Sequence, residues 1–322
     1  MATFKDALPP FSRESTVIDI APDLILRSSD SVDFHSHKAF LVFLSPVFRD
    51  MFTFPPPADG LEEGVDMRDG IPVVQLSESS STLRKLLLLC YSQVLTDAPP
   101  NNLDGLYLLY SAADKYQIPG LKNTVLATIS SFVEKEPYRV FAIACHLGLP
   151  DLARSAARET LKDVFFPMDR RYNAPEFELI SAAALMRLHD FRFKCRVAAA
   201  SAVYKQYNGD LFEDIEDPNA RDHPWWDTEG HDGSCGAITD DLGSWVPPQW
   251  FRKHMIAVQD IVESLPNGES AAQAVLDRSK TLDISCQRCS RESAEHLSDL
   301  AYILREEVDR SNEEKLRGYQ FI

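Results

Sequence analysis

Long apolar runs are missing from this chain of 322 residues. The longest, Leu86 to Tyr91, falls far short of the roughly 20 residues that cross a bilayer, so no membrane span is expected. Positive charge is also short: 33 basic residues face 49 acidic ones, a net charge of −16 with a pI near 4.9. Such a surface repels phosphate backbones and anionic lipid, which removes nucleic acid and membrane from the expected partners. The densest basic group, Arg192, Lys194 and Arg196, lies inside an apolar helical pattern. Cysteine is scarce, with six residues spaced irregularly apart from one Cys-x-x-Cys; that is too few for a disulfide scaffold and points to a reducing compartment. The opening MATFKDALPPFSRE lacks the basic-then-apolar order of a secretory signal, so the expectation is a cytoplasmic or nuclear protein. There is no GxSxG, no Gly-rich phosphate loop and no HExxH. Cys145 and His146 are adjacent, but helix neighbours point in different directions, so core packing is the better reading. No enzyme is expected.

What is present is core material: 44% hydrophobic and 25% charged residues, enough for two or three compact units. Asp23 starts an apolar strand (Leu24, Ile25, Leu26), Ser28-Ser29-Asp30 turns the chain, and Val32, Phe34 and Ser36 alternate along a second strand. Phe40, Leu41 and Leu44 recur at helical spacing. Ser45 then caps a second helix with Pro46 at its first position, and Val47, Phe48, Met51 and Phe52 form one apolar face. The stretch FPPPADGLEEGVDMRDG has no periodicity and little to bury, so a mobile loop is expected. Ile71 to Leu76 reads as a strand. Ser79 to Thr82 offer caps for the helix LRKLLLLCYSQVL, and Asn101 opens a further helix with Leu103, Leu106 and Leu109 on one face.

Phe34, His37, Lys38, Leu41, Ser45, Phe48, Met51 and Phe52, with AADKYQIPGLK further on, resemble the pattern of BTB (POZ) domains. The resemblance implies an α+β, mostly helical fold, with a small sheet flanked by helices over residues 15–133. It also implies a protein that binds proteins. Residues 134–207 read as helices near Glu136–Gly148, Asp151–Phe165, Phe177–Leu188 and Phe191–Tyr207, and their beginning resembles the helical (BACK-like) extension that follows many BTB domains. Residues 208–322 read as an acidic loop followed by a helical C-terminal module.

Two roles follow from the resemblance. In the first, the protein is a self-associating scaffold or regulator. It would dimerise through the first helix, here Phe40, Leu41 and Leu44, with Phe4, Leu8, Phe11, Val17 and Ile18 docked or exchanged; all of these as intradomain core is the competing reading. In the second, the protein is a substrate adaptor of a cullin-RING ubiquitin ligase. Leu61-Glu62-Glu63 supplies the hydrophobic-x-Glu contact, with Leu61 and Glu63 as its ends, although it lies farther from Phe52 than usual. The resemblance also makes His37 structural and Asp23 a buried, partnered carboxylate.

Cys286-Gln-Arg-Cys289 sets two thiols at the start of a helix, where a zinc ion would need two further ligands. His231-Asp-Gly-Ser-Cys235 could supply them, with His223 in reserve. Some fungal BTB proteins carry a Cys-containing loop, tryptophans and a Cys-x-x-Cys before a last helix. This chain is similar, with Trp245 and Trp250 between, but has His231 where a cysteine is expected. A structural zinc on Cys286, Cys289, Cys235 and His231 stands beside the plainer reading of helix-face thiols and a solvated histidine. Calcium is set aside, because a loop starting at Asp227 would need a carboxylate where Ile238 stands.

Overall fold

A computed structural model describes residues 4–14, 20–53, 66–91, 102–164, 175–207, 238–239, 245–280 and 282–322. The chain divides into two compact units, Met1–Phe132 and Val133–Ile322. Among the described residues no helix is long and apolar enough to cross a membrane.

The first unit is built on a five-stranded sheet of β1 (Lys5–Asp6), β2 (Leu24–Arg27), β3 (Val32–Ser36), β4 (Met67–Arg68) and β5 (Ile71–Gln75), in the order β1-β3-β2-β5-β4. β2 and β3 form an antiparallel hairpin with Leu26 opposite Phe34, while β2 runs parallel to β5 with Leu26 opposite Val74. Every residue of β2 is buried, as an apolar strand at the centre of a sheet should be. β1 and β4 were not expected. Two residues are too few to show alternation, although Asp69-Gly70 is the pair that a two-residue hairpin turn favours. Both residues take positive φ (53° and 79°), and β4 pairs back on β5 through them, where a loop was expected.

Among the described residues of this unit there are also five helices: α1 (Lys38–Leu44), α2 (Pro46–Thr53), α3 (Ser80–Cys90), α4 (Leu106–Lys115) and α5 (Pro119–Ser130). The expected caps are in place. Ser45 Oγ accepts from the Phe48 N–H at 3.1 Å, and Ser79 Oγ accepts from the Thr82 N–H at 3.3 Å. α4 starts later than expected, at Leu106. Gly105 before it takes φ +70°, a left-handed conformation that suits glycine, and the fully buried Leu103 packs from outside the helix.

The second unit contains α6 (Pro137–His146), α7 (Pro150–Glu159), 3₁₀ turns at Thr160–Lys162 and Pro175–Leu179, and α8 (Ala182–Lys205). A two-residue hairpin of β6 (Ile238–Thr239) and β7 (Trp245–Val246) follows, then α9 (Gln249–Ser264), α10 (Gly268–Ser279) and α11 (Gln287–Arg317). Where two helices were expected over 177–207, α8 runs unbroken, because no Gly or Pro lies between Leu188 and Phe191 to stop it. The change of composition at Asn208 does not divide the packing. Ala199, Ala202 and Val203 of α8 share one core with Phe251, Met255 and Val258 of α9, Val275 of α10, and Leu300 and Leu304 of α11. Gly268 sits where α10 meets α11: its N–H donates to Asp309 Oδ1 at 2.9 Å, and a Cβ there would run into the Arg305 carbonyl oxygen.

Candidate functional site

α1 reads Lys-Ala-Phe-Leu-Val-Phe-Leu, apolar over nearly its whole circumference. Its direction is fixed at both ends. The Lys38 N–H donates to Asp23 Oδ1 at 2.8 Å, so Asp23 caps the helix start from an exposed position, not the buried one expected. His37 is buried. Its backbone N–H donates to Tyr91 Oη at 2.9 Å, its Nε2 lies 2.9 Å from the Ile20 carbonyl oxygen, and its Nδ1 lies 3.2 Å from Tyr91 Oη. A carbonyl only accepts, so Nε2 carries the proton and Nδ1 accepts from the tyrosine. At the C-terminal end, Ser45 Oγ donates to the Tyr116 carbonyl oxygen at 2.5 Å, and the Phe48 ring stacks on Tyr116 with centroids 4.5 Å apart.

This anchoring decides which side of α1 is core. Leu41 is completely buried, which leaves it no part in an exposed face. Phe40 is half-buried and stacks on Tyr91 at 4.6 Å, and Leu44 is half-buried. Phe43 lies two residues from Leu41, about 200° around the helix. The residue is 88% exposed, the most exposed large hydrophobic among the described residues. The sequence reading missed it. With Val42, Leu44 and Pro46 it forms one wall of a groove of about 590 Å³, and Ile118 and Pro119 at the start of α5 form the other. Arg49 and the Lys122–Asp114 ion pair lie at its rim.

The N-terminal segment is docked on its own domain. β1 pairs in parallel with β3, the His35 N–H donates to the Phe11 carbonyl oxygen at 3.0 Å, and the Phe11 ring is fully buried between Phe34 and Tyr91. Phe4 lies over the Arg27 guanidinium at 3.5 Å, and Leu8 is exposed. Val17 and Ile18 lie outside the described residues.

Beneath this surface the sheet is pinned by charge. Arg27 donates to both oxygens of the fully buried Asp33 (2.6 and 3.0 Å) and to Asp66 (2.7 Å), while Arg68 bridges Asp33 (2.5 Å) and Asp6 (2.8 Å). Burial pushes the Asp33 carboxyl up. The hydrogen bonds and charges of Arg27 and Arg68 outweigh that and hold it below the usual carboxylate range.

Of the expected cullin contact, Leu61 and Glu63 both lie outside the described residues. Of the expected metal ligands, Cys286 caps α11 and Cys289 sits in its first turn, both buried against Trp250 and Ile284. His231, Cys235 and the reserve His223 lie outside the described residues. The described residues therefore supply two thiols of a zinc set. Among them, no group of three His, Cys, Asp or Glu is placed to hold a metal.

No curated protein matches the chain. The β2–β3 hairpin, the α1–α2 hairpin and the closing helices α4 and α5 lie in the part of the chain that matches a known family: residues 19–132 match the BTB/POZ domain.

Proposed function

We propose that this protein self-associates through its BTB/POZ domain, a protein–protein interaction module, and that α1 is the docking face, with Phe43 at its centre. The exposure of Phe43 carries this reading. Removing such a ring from water is worth about 1.5–3 kcal/mol, and a two-fold interface collects that term twice. Val42, Leu44, Ile118 and Pro119 extend the apolar surface around it. The net charge of −16 opposes association of two copies at long range, but at physiological salt that repulsion is screened beyond about 8 Å while contact burial is not.

The test is the mass of the full chain in solution at physiological salt, compared with Phe43→Ser. A dimer or larger species for the wild type and a monomer for the variant, at equal thermal stability, is the expected result. A wild-type monomer, or an oligomer that ignores the substitution, rules the face out. The cullin adaptor role is read in the same experiment. A wild-type monomer that binds a cullin N-terminal domain, and loses it on Glu63→Ala, would replace the scaffold reading.

A further inference from the structure

α8 buries one side in its own unit, through Leu188, Phe191, Cys195, Ala199 and Ala202. Its opposite side is apolar as well. Met186, Phe193, Val197 and Tyr204 are 62, 55, 52 and 43% exposed. At about 100° per residue these four fall within about 40° of one another, on a line that runs about 27 Å along the helix. A surface helix with one packing partner carries polar residues on that outer side, so a second apolar seam asks for a second partner. The spacing of the seam is seven, four and seven residues, which reads the same from either end. Met186 and Tyr204 lie nine residues to either side of position 195, and Phe193 and Val197 lie two. A groove of about 600 Å³ follows one flank of the seam, between α8 and α11, and one of about 220 Å³ follows the other, toward the end of α9; Phe193 borders both. The cations beside the midpoint are already matched within the chain: Lys194 pairs with Asp190 at 2.7 Å and Arg196 with Glu263 at 3.0 Å.

We propose that α8 packs antiparallel against α8 of a second copy of this chain, about a two-fold axis at position 195. In a two-fold contact, if residue i meets residue j then j meets i. A seam symmetric about the axis therefore gives every member an apolar partner: Met186 meets Tyr204 of the other copy, and Phe193 meets Val197. Binding to an unrelated protein asks for no such symmetry. Steps of seven and four residues also keep the four side chains on one line, as in the seam of a coiled coil. Each ridge has a groove beside it to enter, as interdigitating helices need. Asp190, the acidic residue near this line, is tied to Lys194 and Tyr319 and comes opposite the small Ala200. The four side chains expose about 400 Å² per copy, the size of patch that marks an interaction site. A pair would bury about 800 Å² through the seam, less than the roughly 1,200 Å² of a stable interface, so the contact is a weak, reversible one, on the order of 10–100 μM. It belongs to the second unit and stands independently of the face on α1.

The experiment is sedimentation equilibrium of the full chain carrying Phe43→Ser, so that failure of the α1 face and failure of this one are read separately. Concentration-dependent dimers are expected to persist in that background. Adding Phe193→Ser and Val197→Ser should raise the dissociation constant tenfold or more with the melting temperature unchanged, since both side chains are exposed. Cross-linking tests the register. In an equimolar mixture of Met186→Cys and Tyr204→Cys chains, a short bismaleimide should join one variant to the other, while either variant alone should give no more product than the wild type. No association up to about 300 μM, well above the expected range, overturns the proposal. So does association that ignores the Phe193→Ser/Val197→Ser pair, or cross-linking of Met186→Cys chains to each other as readily as to Tyr204→Cys, which would mark a parallel or unspecific contact.

Discussion

Replacing Asp33 by Asn should cost the BTB/POZ domain far more than a surface substitution. The carboxylate is fully buried and takes three hydrogen bonds from Arg27 and Arg68, and the Arg27 side chain is itself only 7% exposed. Removing one member of a buried ion pair costs about 3–5 kcal/mol, because the other charge is left without compensation. Arg27 keeps Asp66 and Arg68 keeps Asp6, so the low end, about 3 kcal/mol, applies. For a unit of roughly 130 residues, with an unfolding entropy of about 2.1 cal/mol/K per residue, that lowers its melting temperature by about 10 °C. Hydrogen exchange of the full chain, read peptide by peptide, should show the loss of protection in β2, β3 and β5. The pH dependence gives a second check. Asp33 titrates below its unfolded value of about 3.9, so its contribution is complete above that pH and is lost as the pH falls through the lower, folded value. The gap between wild type and Asp33→Asn should therefore hold steady from about pH 8 to pH 5 and narrow below about pH 4. A cost under about 1 kcal/mol, or a gap that ignores acid, would refute the network as the pin of the sheet.

Leu41→Ala should cost about 2–5 kcal/mol in urea unfolding, whereas Phe43→Ala, two residues away, should stay within about 0.5 kcal/mol. Similar costs for the two would mean that α1 is rotated from the orientation described. Gly268→Ala should cost about 1–3 kcal/mol, because the new methyl group meets the Arg305 carbonyl and α10 must move off α11. Unchanged exchange protection in those two helices would show that the approach is looser than it appears.

The β2–β3 hairpin and the α1–α2 corner were legible because their signals are local: alternation, a Ser-Pro start and a turn rich in serine. β1 and β4 were not, since a two-residue strand exists only through its partner. The orientation of α1 was out of reach for a different reason. A two-turn helix that is apolar all round has no periodicity to read, so Leu41 and Phe43 look equivalent until Asp23, Tyr91 and Tyr116 fix the helix ends. The unbroken α8 shows the limit of counting apolar faces. His189 and Asp190 look like a boundary, yet neither residue stops a helix.

The way the sheet ends has a consequence for recognition. Its outermost strands, Lys5–Asp6 and Met67–Arg68, are two residues each and carry charged side chains tied into ion pairs. An incoming peptide that tried to extend the sheet would find only a bond or two to make before the rail ran out. Through its described edges, then, this domain is closed to backbone-templated partners, and with them to runaway strand stacking. Among the described residues of this unit, recognition falls to side-chain shape on the helices, with Phe43 of α1 the most exposed apolar group.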